Sequence, residues 1–345
     1  MIKQTDNDFK LSGPSRLTPV NWQDERYRRS VLASLVKGVY VLKDDHRRHR
    51  VGSEALAPPW WESFDFKLLC FLTDDKDYSI FGAVYEYMTE SKGAPKYVIA
   101  FRGTMVKEDS YFGDMKLNMN IMINTLHHRS RFKKAMEAVE KMVSKKGASN
   151  IWLAGHSMGA AIAMLVGKSM AKDGIFLESY LYNPPFIAVP IELTPSRRVR
   201  RGILVACTLV TVGLTAVLQN KQERQQSEDL FTTLSPWLPN LFLNPSDIIC
   251  SEYLAYFEQR EMMESCGVGV IGNLATRYSW QGLFLNAVGK DYWSEEKSHL
   301  IPSASVTTSR NPNAHNLSQW FTDDSVSDPK EYRYKTDEAL KLTTT

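Results

Sequence analysis

Gly155-His156-Ser157-Met158-Gly159 sets a hydroxyl between two glycines, after the apolar run Ile151–Ala154 and before the small-residue run Gly159–Gly167. A serine attacks a carbonyl only when its hydroxyl stands clear of the backbone. A sharp strand-to-helix turn achieves this, and glycines leave room on either side of it. The helix that follows aims its first amides, and its positive dipole end, at the oxyanion that develops. Acyl transfer needs a second amide from a loop after an earlier strand. Ala100-Phe101-Arg102-Gly103-Thr104 follows the apolar run Tyr97–Phe101, so Thr104 and Met158 are the expected oxyanion donors. The alternative for this stretch is a turn in which Gly103 merely ends a strand.

A nucleophilic serine needs a base, and the base an orienting acid. In the chain order Ser, Asp, His, Asp247 is the best acid, because an Asn-Pro-Ser turn sets it just after the apolar run Leu238–Leu243. Capping a helix from Ile248 is the other common task for such an aspartate, and the two are compatible. Asp229 and Asp291 end no clear strand. Of the seven histidines only His299 and His315 follow Asp247. Chain order and loop placement favour His315, in a turn leading into a short amphipathic helix, with His299 as the alternative base. His156, beside the nucleophile, is expected to point away from substrate. His127 and His128 precede Ser157 and are poor candidates.

Several elements must position these groups. Val31, Leu32, Leu35, Val36 and Val39 fall at helical spacing. Asp44–Arg50 (DDHRRHR) reads as a solvated turn, and Ala57-Pro58-Pro59-Trp60-Trp61 as a break with two aromatic anchors. Residues 80–87 and 97–101 read as strands, the second apolar throughout, as a central parallel strand is. A helix is expected over 132–143, stopped by Gly147, then a strand over 151–154, a helix from Gly159 and a strand over 177–182. That alternation predicts an α/β fold with a mostly parallel sheet and helices on both faces. Residues 196–236 run basic, apolar, then polar, and read as a helical cap insertion.

With 345 residues, 43% of them apolar, the chain can bury a sizeable core. A net charge of +3 gives no basic footprint for nucleic acid. The four cysteines (Cys70, Cys207, Cys250, Cys266) show no metal or redox spacing and read as reduced, buried thiols. The start of the chain carries no secretory signature, so a cytoplasmic location is expected. Residues 203–218 are uncharged but shorter than the roughly 20 residues of a spanning helix. A buried, lid-type or interfacial helix is favoured, and with nearby Trp237 it is the candidate for a lipid-facing cap.

The chain resembles the class 3 lipase-like α/β-hydrolases, above all a plant group sometimes labelled GDSL esterase/lipase, although it contains no GDSL block. The likeness lies in Ser12-Gly13-Pro14 through Gly38-Val39-Tyr40, in Ala57–Trp61, Ser79–Ala83, FRGT at 101–104, GHSMG at 155–159 and AHNLSQWF at 314–321. It implies Ser157 as nucleophile, Asp247 as acid, His315 as base and Thr104 with Met158 at the oxyanion hole. Met158 stands where the wider class has leucine, a volume-conserving change. The insertion after Pro195 departs from the shorter fungal lipases. The expected division is an extension over 1–27, the hydrolase domain over 28–322 and a polar tail over 323–345. The expected activity is hydrolysis of an acyl ester or lipid substrate without cofactor or metal, with peripheral contact to a lipid surface. A non-catalytic lipase-like interaction protein, or a thioesterase or acyltransferase with the same three residues, are the alternatives.

Overall fold

The computed structural model describes residues 13–14, 20–103, 130–186, 221–266, 269, 300–322 and 325–336. Its helices are α1 (Glu25–Arg48), α2 (Pro59–Glu62), α3 (Ser130–Lys146), α4 (Met158–Lys172), α5 (Lys221–Leu234) and α6 (Glu252–Ser265). Its strands are β1 (Phe66–Thr73), β2 (Ile80–Tyr87), β3 (Tyr97–Phe101), β4 (Ile151–His156), β5 (Glu178–Tyr182), β6 (Asn240–Leu243), β7 (Ala304–Thr308) and β8 (Lys330–Tyr332). All eight strands lie side by side in sequence order. Strands β3 to β7 run parallel, while the pairs β1–β2 and β2–β3 at one edge and β7–β8 at the other are antiparallel.

Alternation of side chains across the sheet explains its two cores. On one face Ile99, Phe101, Leu153, Leu181 and Leu241 pack with α3, α4 and α6. On the other, Val98, Ala100, Ala154, Tyr180, Tyr182 and Phe242 pack with α1, α2 and Trp320. Helix α1 buries all five residues of its predicted stripe, on the order of 10 kcal/mol of apolar burial. Both faces of β3 are buried, which is why it carries no charged residue.

Several sequence expectations require correction. Asp44–Arg50 is not a solvated turn: α1 runs to Arg48 and His49 closes it in the left-handed conformation (φ 56°). Within this run Asp45 is buried and accepts Leu56 N–H at 2.9 Å, Ala57 N–H at 2.8 Å and Arg50 Nε at 2.7 Å. The hydrolase domain begins before residue 28, because Trp22 is buried against Tyr27, Phe66, Tyr87 and Trp152. The tail contributes β8, with Tyr332 and Tyr334 buried, since an unpaired β7 would leave a row of ladder groups unsatisfied. Trp237 is buried too, donating to Leu177 O at 2.9 Å, so it faces the core and not a lipid phase. Just before it, α5 lays Leu234 into the core formed with α4. Cys250 is buried, but Cys70 and Cys266 are exposed; Cys70 lies on edge strand β1.

Thr104, His299 and the apolar segment 203–218 lie outside the described residues. No helix among the described residues is long and apolar enough to cross a membrane.

Candidate active site

The described residues just past the C-terminal ends of β3, β4, β5 and β6 come together with the loop after β7, as chemistry in open parallel sheets does. Ser157 sits at the turn between β4 and α4 with φ 55° and ψ −124°, a conformation that L side chains rarely adopt. Its N–H donates to Tyr182 O at 2.9 Å, which fastens the turn to β5. Gly155 and Gly159 are required here by close approach. A Cβ on Gly155 would run into the Gly159 backbone, and one on Gly159 into Phe101 and Arg102. Met158 opens α4, so its N–H belongs to the first turn, whose amides have no partner within the helix.

The structure brings Ser157, His315 and Asp247 together. His315 Nε2 lies 3.0 Å from Ser157 Oγ, and His315 Nδ1 lies 2.8 Å from Asp247 Oδ2. A carboxylate only accepts, so Nδ1 carries the proton and bare Nε2 faces the serine hydroxyl. The His315 side chain is 30% exposed while that of Asp247 is 2% exposed, so solvent reaches the imidazole and not the carboxylate. Asp247 does not cap a helix from Ile248, since α6 begins at Glu252 with Ser251 at its N-cap. Its Oδ1 accepts Ile249 N–H at 3.0 Å, fixing the turn before α6, while Oδ2 meets the histidine. Burial alone would raise the Asp247 carboxyl, but the His315 hydrogen bond and charge, Ile249 N–H and Asn183 together hold it below the usual range.

Residues that the sequence did not single out complete the setting. Asn183 follows β5 with φ 47°. Its Nδ2 donates to Asp247 Oδ2 at 2.7 Å and to Ala314 O at 2.9 Å, and its Oδ1 accepts Trp320 Nε1 at 2.8 Å. Asn244 after β6 donates to Asn311 O and to Gln319 Oε1, both at 2.9 Å, bracing the loop that carries His315. The Cys250 thiol lies 3.3 Å from Asp247 Oδ2, and burial followed by that charge pushes its pKa up. The only sequence signal for either asparagine was its place just past a strand end. Arg102 is buried beside Gly103, donating Nη1 to Gly103 O at 2.7 Å and Nε to Ile80 O at 2.6 Å. His156 is engaged at both ring nitrogens, and its ring centroid lies 5.1 Å from that of His315.

Comparison with known proteins bears on this site. The family model described as lipase (class 3) matches residues 59–187, a span that includes both FRGT and GHSMG. A GDSL esterase/lipase of Arabidopsis thaliana is 40% identical over 357 aligned residues, covering 97% of this chain and 100% of that protein. The chain belongs to the class 3 lipase-like α/β-hydrolases. Among solved structures, the lipase from Rhizopus microsporus var. chinensis is 14% identical with a TM-score of 0.36, over 72% of this chain and 76% of that one. The esterase of Pyrobaculum calidifontis is 13% identical with a TM-score of 0.28, over 78% of this chain and 93% of that one. In this class 3 lipase-like chain the serine motif is GHSMG and no GDSL block occurs.

Proposed function

We propose that the protein hydrolyses carboxylic esters with acyl or lipid substituents through a serine acyl-enzyme. The observation that carries the reading is the unbroken line Asp247 Oδ2–His315 Nδ1, His315 Nε2–Ser157 Oγ, with both contacts at hydrogen-bond length. In the first step His315 Nε2 takes the Ser157 proton as Oγ bonds to the ester carbonyl carbon, and the carbonyl oxygen becomes an oxyanion. Met158 N–H, at the start of α4, is one donor to that oxygen; Thr104, the residue after anchored Gly103, is proposed as the other. The imidazolium of His315 then protonates the leaving alcohol as the C–O bond breaks. Water, deprotonated by the same imidazole, attacks the acyl-serine, and Ser157 recovers its proton as the acid departs. Asp247 keeps the tautomer correct and stabilises the imidazolium throughout.

The test pairs a fluorophosphonate probe with a short p-nitrophenyl ester. Wild-type protein is expected to be labelled at Ser157 and to turn over the ester, and Ser157→Ala to lose both with its circular dichroism unchanged. An unlabelled wild type, or activity retained in Ser157→Ala, overturns the reading and leaves a non-catalytic role on the same fold. A panel of oxygen esters and thioesters separates hydrolysis of the former from thioesterase action by relative kcat/KM.

A further inference from the structure

Beside the nucleophile lies a second polar line that takes no part in the proton transfers just described. His156 Nε2 is 3.0 Å from the carbonyl oxygen of His315. A carbonyl can only accept, so Nε2 carries the proton and Nδ1 is a bare acceptor. Tyr40 Oη stands 2.8 Å from that Nδ1 and must donate to it. The same Tyr40 oxygen accepts Gly103 N–H at 2.7 Å. The line therefore has one direction: Gly103 N–H to Tyr40 oxygen, Tyr40 O–H to His156 Nδ1, His156 Nε2–H to His315 carbonyl. It cannot reverse, because a backbone N–H at one end only donates and a carbonyl at the other only accepts. Burial, then the nearby His315, lowers His156 to about 3, and burial raises Tyr40, so both stay neutral at physiological pH.

Resting on the serine-hydrolase reading, we propose that Tyr40 and His156 are positioning residues that lock the loop after β3 to the loop carrying His315. No strand pairing joins those two loops among the described residues; Gly103 follows β3 and His315 lies beyond β7. Tyr40, on α1, reaches between them from outside the sheet. Gly103 is gripped at both backbone groups, its N–H by Tyr40 and its carbonyl by Arg102. His315 is gripped through its own carbonyl by His156 and through the preceding carbonyl, Ala314 O, by Asn183 at 2.9 Å and Gln319 at 2.8 Å. One side of this arrangement aims the donor loop and the other aims the base, and a misplacement of about 1 Å between such groups costs on the order of 100-fold in rate.

The experiment compares full-length wild type with Tyr40→Phe, His156→Phe, His156→Gln and the double variant Tyr40→Phe/His156→Phe. Readouts are kcat and KM on a short p-nitrophenyl ester, fluorophosphonate labelling at Ser157, melting temperature and the imidazole 15N spectrum. Tyr40→Phe keeps the ring and removes only the hydroxyl; it is expected to lower kcat about 10- to 100-fold while KM stays within about twofold. The double variant is expected to lose no more than His156→Phe alone, because both break one line. His156→Gln offers one acceptor and one donor and is expected to recover part of kcat. The 15N spectrum of the wild type is expected to show His156 as the neutral Nε2–H tautomer. Unchanged kcat in Tyr40→Phe, multiplicative losses in the double variant, or an Nδ1-protonated His156 overturns the proposal. Where His156→Phe does not fold, Tyr40→Phe and the 15N spectrum decide. A wild type that is not labelled at Ser157 overturns the hydrolase reading instead, and the tautomer still judges the hydrogen-bond line by itself.

Discussion

At Asp247 one carboxylate oxygen accepts Ile249 N–H while the other receives His315, Asn183 and Cys250. Replacing it with asparagine keeps the volume but offers an amide N–H where His315 needs an acceptor. The expected result for Asp247→Asn is a fall in kcat of about 10³- to 10⁴-fold with the far-ultraviolet spectrum retained, measured by steady-state kinetics and circular dichroism. His156 carries a different signature. Its folded pKa of about 3 lies below the ordinary value of 6.5, so between these values the unfolded chain binds more protons. Stability therefore falls as pH drops through 6.5 toward 3, by up to about 1.4 kcal/mol per pH unit for this group. Calorimetry between pH 6.5 and 4 is expected to show a flatter decline for His156→Gln than for wild type. Asp247 acts in a lower window. Its depressed carboxyl stabilises the fold above the ordinary carboxylate pKa, and that stabilisation is lost as pH falls through the folded value.

Among the elements, α1 does more than cover the sheet. Its C-terminal end presents Asp45 to the amides of Leu56 and Ala57, tying the loop before α2 to the helix. Asp45→Ala leaves those donors without their acceptor in a buried setting. It is expected to cost about 3 kcal/mol, read as a lower urea midpoint with an unchanged slope. A run of charges looked like a solvated turn because local sequence does not show that a neighbouring loop will fold over one of them. Strand β8 makes the same point. Three residues in a polar tail, Lys330–Tyr332, carry too short a pattern to read, yet pairing with β7 supplies their ladder partners. Truncation after residue 322 is expected to lower the melting temperature and to cause concentration-dependent light scattering, since it bares an edge strand.

For the molecule as a whole, the sheet is protected most where it is parallel and covered on both faces. Amide exchange is expected to be slowest in β3, β4 and β5 and faster in β1 and β8, with mass spectrometry as the check. Slow exchange in β1 or β8, with fast exchange at the centre, would refute that order. The parts of the fold legible in the chain were those with local signals. The stripe of α1, the unbroken apolar run of β3, the Gly147 stop (φ 82°) and the serine turn each rest on sterics or periodicity within about a dozen residues. Short strands such as β7 (Ala304–Thr308) and β8 gave none, and β1 places an exposed Leu69, Cys70 and Phe71 where alternation would be sought.

The sequence by itself picked out Ser157 and the turn that holds it, because glycine at two fixed offsets is a requirement of local backbone geometry. By chain order it also singled out Asp247 as the candidate acid and His315, ahead of His299, as the candidate base. Tertiary structure alone decided that His315 reaches Ser157 across 158 residues, and that Tyr40 meets His156 across 116. Contacts of that span obey no period along the chain: the first exists because parallel strands gather their C-terminal ends on one side of the sheet, the second because α1 packs across the sheet beside them.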